Sequence, residues 1–364
     1  MKQLTKFCLP ALGASILLAG CAGAPKALPL APDVDLSIVA ESERQWTGVA
    51  VSREGRVFLN FPRWSDDVPV SVVELKEDGS LAPYPDGLWN DWAPGKPAAA
   101  HFVCVQSVHV DDKDRLWILD PASPSFSGVL PNGAKLLEVD LDRDRVVRTY
   151  LFPDAVAPSN SYLNDLRVDT LREVAYITDS GAGAIVVLDL KTGQSWRLLA
   201  GHPSVMAEDV VLTIGGREWR RPDGAVPQVH ADGLALSPDN EYLFYQALSG
   251  RTLHRVRTSY LLDRSLSAEQ VAAGVQEWAE VGASDAIISD ALGNIYLSSL
   301  EHDAIRRLTP GKQIEVVAQS PQIAWPDSFA FGRDGSLWFT TAQIHRGPNP
   351  PEPCRLWRLS APKK

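Results

Sequence analysis

Positive charge is in short supply along this chain: 35 lysines and arginines stand against 45 acids, a formal net charge of −10 at pH 7. A surface of that sign repels phosphate backbones, so no nucleic acid is expected as a partner. Cysteine is scarce too, with 4 in 364 residues. Cys8 and Cys21 fall in the N-terminal leader, which leaves Cys104 and Cys354 for the folded part. Export permits such a pair to join, and one disulfide between them is the expectation. Beyond residue 20 no run is long and apolar enough to cross a membrane as a helix. There is no Gly-x-Ser-x-Gly elbow, no His-Glu-x-x-His helix, no Cys-x-x-Cys pair and no glycine-rich phosphate loop. Their absence removes the sequence signatures of serine hydrolases, zinc peptidases, thiol redox proteins and nucleotide binders. Helix signals are nearly missing as well. The one present is Ser267-Ala-Glu-Gln270, a capping-box pattern that opens a short alanine-rich run.

The leader itself is informative. Lys2 and Lys6 precede an apolar stretch from Phe7 to Leu18, too short to span a bilayer. It ends Leu18-Ala19-Gly20-Cys21, which resembles a bacterial lipobox. The expectation is a signal peptide over 1–20, a lipidated Cys21, and an Ala/Pro-rich tether over 21–34. Acyl chains on Cys21 anchor by about 0.8 kcal/mol per buried methylene. Membrane contact is then expected through lipid alone. Ala22 is not the aspartate that favours inner-membrane retention, so the lipobox resemblance implies the outer membrane, facing periplasm or cell surface.

What the chain does have is a repeat. Six hairpins open Thr47-Gly-Val-Ala-Val, Gln106-Ser-Val-His-Val, Asn164-Asp-Leu-Arg-Val, Asp232-Gly-Leu-Ala-Leu, Asp285-Ala-Ile-Ile-Ser and Asp327-Ser-Phe-Ala-Phe. They recur roughly every 40 to 70 residues, the spacing of propellers and solenoids. Each extends to further strands rich in Val, Ile, Leu and aromatics, with Gly/Asp/Asn turns between them. The last blade shows no fourth strand of its own, while the strand-like run Asp35–Glu41 has no blade. The all-β reading is a six-bladed β-propeller over 35–364, closed by that N-terminal strand, which covers an edge that would otherwise be exposed. Two long segments, Trp64 to Ala100 and His202 to Gln228, are expected as loops over one mouth of the ring.

Several motifs carry a family resemblance. Asn60-Phe-Pro-Arg-Trp64, Arg115-Leu-Trp-Ile-Leu-Asp120, Leu163-Asn-Asp-Leu-Arg-Val-Asp169, Ala175-Tyr-Ile-Thr-Asp-Ser180, Gly233-Leu-Ala-Leu-Ser-Pro238 and Trp325-Pro-Asp-Ser328 resemble the major royal jelly and yellow proteins, in order along the chain. That resemblance implies a six-bladed propeller. For function it implies a range: pigment chemistry at the dopachrome step, which would make the chain an isomerase, small amines bound in the central channel, or nutritive and structural roles. A more distant likeness is to the gluconolactonase and senescence-marker propellers. It implies a divalent metal, usually calcium, held by residues matching Asn164, Asp232 and Asp285. The glutamate of that set falls on Thr47, a poor substitute for a carboxylate ligand.

Radial symmetry makes the strand heads converge. The candidate pocket is therefore Thr47, Gln106, Asn164, Asp232, Asp285 and Asp327, with Tyr162 beside Asn164. Three carboxylates packed together repel, so a metal, a bound amine or protonation must compensate. Trp64, Trp89 and Trp92 would suit a cationic amine if they reach the pocket, and are packing residues if they do not. His230, two residues before Asp232, and Asp285 are the candidate acid–base groups. Two functions follow: a small-molecule binding propeller taking an amine, phenolic or sugar-like ligand, or a calcium-dependent lactonase or esterase in which metal polarises the carbonyl.

Overall fold

The computed structural model describes residues 35–360. Six four-stranded antiparallel sheets stand around one axis as blades, and a small two-stranded hairpin is added at Thr213–Ile214 and Arg217–Glu218. The inner strands, from blade one to blade six, are Val49–Val51, Ser107–Val110, Leu163–Asp169, Ala231–Leu236, Ile287–Ser289 and Pro326–Phe331. Leu36–Ser42 pairs antiparallel with Cys354–Leu359 and supplies the outer strand of blade six. Both ends of the described chain thus share one sheet, and the ring closes as expected. Residues 1–34, with the expected signal peptide, Cys21 and tether, lie outside the described residues. No helix among the described residues is long and apolar enough to cross a membrane.

Each blade packs on two neighbours, so its strands bury both faces. Val174–Asp179 is buried at every position, as continuous apolar runs in strands require. The core is six apolar layers, each shared by consecutive blades. Trp117, Leu119 and Leu136 of blade two meet Leu166, Ile177 and Val186 of blade three, for example. Phe329, Phe339 and Trp357 of blade six meet Ala286 and Ile305 of blade five. Burying one such side chain is worth about 1.5–3 kcal/mol. The capping box at Ser267 and Gln270 starts the expected short helix, Ala268–Ala273, between two strands of blade four.

The expected disulfide is a correction: Cys104 and Cys354 are both free. Cys104 belongs to a small cluster with Val103 and Ala122, and Cys354 packs in the layer between blades six and one. The Cys104 backbone is fixed by buried Asp120, which accepts from Val103 N (2.7 Å) and Cys104 N (3.0 Å) and is itself held by buried Lys135 at 2.6 Å. Its Sγ lies 3.7 Å from the Tyr162 hydroxyl, whereas Cys354 Sγ lies 3.6 Å from Ala342 O. Burial pushes both thiols up to about 12, so neither is a ready nucleophile.

Candidate ligand-binding hub

The strand heads are not regular strand. In blades three, four and six the inner strand slips register against its partner between Leu163 and Leu166, Ala231 and Leu234, and Pro326 and Phe329. A bulge of this kind re-aims side chains. Here each bulge contains the polar head. In blade five Ser298 Oγ does the equivalent work, accepting from Asp285 N (2.8 Å) and Ala286 N (3.1 Å). Gly233 permits the crowding: a Cβ there would stand 2.1 Å from Asp285 O and 2.7 Å from the Ile287 side chain.

The result is a buried acidic hub. Asp232, Asp285 and Asp327 are buried, and Asp232 and Asp285 share a hydrogen bond. Asn164 Nδ2 donates to Asp232 Oδ2 and to Ser180 Oγ, each at 2.9 Å. Gln106 Nε2 lies 3.4 Å from Asn164 Oδ1. The structure adds a fourth carboxylate, Asp165, which the sequence reading missed. Strict alternation turns Asp165 away from Asn164, and the bulge brings both toward the axis. Asp165 accepts from Ser107 Oγ at 2.7 Å. Arg167, also missed, is buried and lies 3.9 Å from Asp165. Its guanidinium donates to Leu166 O and reaches across to Ile287 O of blade five. Burial and this cation together push His109 down to about 3, so His109 is neutral.

One guanidinium facing four carboxyls leaves the hub short of positive charge. Burial, then the neighbouring Asp285, Asp165 and Asp327, holds Asp232 well above the usual carboxylate range. Burial, then Asp285 and Asp165, does the same to Asp327. Asp165 is raised by burial against the pull of Arg167. Asp285 is pushed up to about 7 by burial, although Trp325 Nε1 donates to its Oδ2 at 2.7 Å. Asp327 Oδ2 is buried with no hydrogen-bond partner among the described residues.

Other expected residues take supporting places. Thr47 is fully buried; its Oγ1 donates to Gln106 O and accepts from Asn60 Nδ2, both at 2.7 Å. It braces blade one to blade two. Tyr162 is buried between Trp64 and Gln106. Trp89 packs on Phe102 and Trp92 under Arg63, so both are packing residues. His230 Nδ1 accepts from Ala207 N at 2.9 Å, and burial lowers its pKa. That ties down the segment after His202 and leaves the ring nitrogen unavailable as a base. The same segment is pinned by Glu208, which accepts from Arg251 N and Thr252 N, and by Glu301, which accepts from Thr213 N.

The donor set does not fit a calcium ion of the lactonase type. Calcium needs six to eight oxygens. Asn164 turns its amide nitrogen, not its oxygen, to Asp232, and the Thr47 hydroxyl is consumed between blades. Among the described residues no group of three or more His, Cys, Asp or Glu is arranged to hold a metal ion.

Residues 103–347 match the family model described as major royal jelly protein. The chain belongs to the major royal jelly protein family. Major royal jelly protein 5 of Apis mellifera is 28% identical over 241 residues, 61% of this chain and 38% of that protein. Protein yellow of Drosophila melanogaster is 26% identical over 157 residues, 40% of this chain and 28% of its own length. These matches span well under half of either relative. Among solved structures, a gluconolactonase of Xanthomonas campestris superposes with a TM-score of 0.56 at 15% identity, over 90% of each chain. A calcium-binding regucalcin of Agrobacterium tumefaciens gives 0.53 at 14% identity, covering 89% of this chain and 95% of its own. At such identities the likeness is one of fold. This member of the royal jelly family therefore shares the propeller with those proteins.

Proposed function

We propose that this protein binds a small organic cation, an amine carrying at least one N–H, in the hub. The observation that carries the reading is Asp327 Oδ2, a buried acceptor without a donor, set among carboxyls that outnumber the single guanidinium. An ammonium group supplies both the missing charge and the missing hydrogen bond, a charge-assisted bond of the strong kind. Family membership agrees with a binding propeller. The lactonase reading has no comparable support, since the arrangement of Asn164 and Thr47 opposes the metal it needs. We further propose that a lipid on Cys21 tethers the propeller to the bacterial envelope.

Calorimetric titration of the purified protein with primary amines and their neutral hydroxyl isosteres tests the reading. The amines are expected to bind, the isosteres not, and Asp327→Asn to abolish the difference. Equal binding of both ligand types would overturn it. Metabolic acyl labelling, lost in Cys21→Ser, tests the tether.

A further inference from the structure

We propose that the indole N–H of Trp64, on the rim of blade one, fixes which atom Asn164 turns toward Asp232, and so makes the hub select N–H-bearing cations over bare metal ions. The selectivity rests on the amine reading above; the orientation chain does not. An indole nitrogen can only donate. Trp64 Nε1 donates to Tyr162 Oη at 2.7 Å. Accepting there, the Tyr162 hydroxyl keeps its proton for Gln106 Oε1, to which it donates at 2.9 Å. Gln106 is then held with its amide nitrogen toward Asn164 Oδ1, at 3.4 Å. Asn164 Oδ1 is thereby committed as an acceptor, and Nδ2 must face Ser180 and Asp232. In this arrangement the bonds run one way, from the donor at the outer end inward, with Cys104 Sγ a weaker neighbour of the Tyr162 hydroxyl at 3.7 Å. A second indole, that of Trp325, donates to Asp285 at the far side of the hub. The Asp232–Asp285 pair is thus approached from both sides by donors.

Without the Trp64 donor the direction is no longer imposed. Gln106 can turn over and donate to Tyr162, and Asn164 then presents Oδ1 beside Asp232. An amide oxygen next to a carboxylate is a pair of hard ligands suited to calcium. The same reversal removes the donor that Asp232 receives in the native arrangement. Trp64 and Tyr162 are accordingly positioning residues. They touch no ligand but set the polarity of the groups that do.

Trp64→Phe keeps a ring against Phe126, which the native indole stacks upon at 5.7 Å. Tyr162→Phe removes one oxygen and keeps the ring contact with Phe126 at 5.0 Å. In both variants calcium affinity, measured by calorimetry with calcium chloride alone, is expected to rise by about tenfold or more, and amine affinity to fall by a similar factor, the worth of roughly one hydrogen bond. General loosening of the fold would lower both affinities, so a rise in calcium binding separates orientation from stability. Unchanged or weaker calcium binding in folded Trp64→Phe or in folded Tyr162→Phe overturns the proposal. If the native protein binds no amine, the cation reading of the hub fails, and with it the selectivity. The calcium measurement still decides whether Trp64 orients Asn164.

Discussion

Trp325 donates its indole N–H to Asp285 Oδ2 across 2.7 Å, from a backbone position with φ of 61°. A bulky side chain in the left-handed region is uncommon and needs its surroundings to hold it there. Those surroundings are visible. Trp325 is fully buried, its ring stacks on His345 at 5.7 Å, and Trp219 meets it edge-on at 4.9 Å. Trp219 follows the small hairpin of the 202–228 segment. The 202–228 segment and a hub carboxyl are therefore joined through a single ring.

Trp325→Phe is expected to raise the Asp285 pKa above its present value of about 7, because the donor that favours the carboxylate is gone. A hydrogen bond to a charged group is worth about 1.5–3 kcal/mol, and one pKa unit corresponds to roughly 1.4 kcal/mol, so the rise is about one to two units. Carboxyl-carbon NMR titration of both proteins measures it. A downward shift would contradict the assignment of Trp325 as donor.

Stability is expected to fall as pH rises through the range set by the hub. An unfolded aspartate titrates near ~3.9, whereas Asp285 in the fold is pushed up to about 7. Between those values the folded protein holds more protons than the unfolded one, so the unfolding free energy declines with pH. The contribution of Asp285 is complete below the unfolded value and lost above the folded one. Melting curves of the native protein and Asp285→Asn show this as a difference that grows in favour of the variant from pH 5 to pH 8.

Amine binding runs the opposite way. The ligand needs the ionised hub, so protons leave as it enters and affinity rises with pH through about 7, where Asp285 is half deprotonated. Calorimetry in buffers of different ionisation enthalpy counts the released protons. A pH-independent affinity would remove the hub carboxyls from the binding step.

Thiol reagents provide a check of a different kind. With residues 1–21 removed, native protein is expected to leave Cys104 and Cys354 unlabelled, since both are buried and free, and unfolded protein to react at both without reductant. Labelling that required reductant would restore the disulfide.

Much of the architecture is written locally. The six polar-headed hairpins, their turn residues and the orphan strand Leu36–Ser42 can be read in order along the chain. They gave the number of blades, their strands and the closure of the ring, because period-two alternation and turn chemistry involve neighbours in sequence. The convergence of Asn164, Asp232, Asp285 and Asp327 followed from radial symmetry alone. What the hub contains beyond them depended on tertiary structure. Bulges turned Asp165 inward, where strict alternation would have pointed it away. Arg167 became the cation of the channel by reaching a carbonyl 120 residues further on. Thr47 was spent on bracing two blades, and Cys104 and Cys354 stayed apart in separate layers. The bulge arises between neighbouring strands of blade three; the others were decided by contacts between blades distant in sequence, where packing and hydrogen-bond direction, not the local pattern, choose which way a side chain faces.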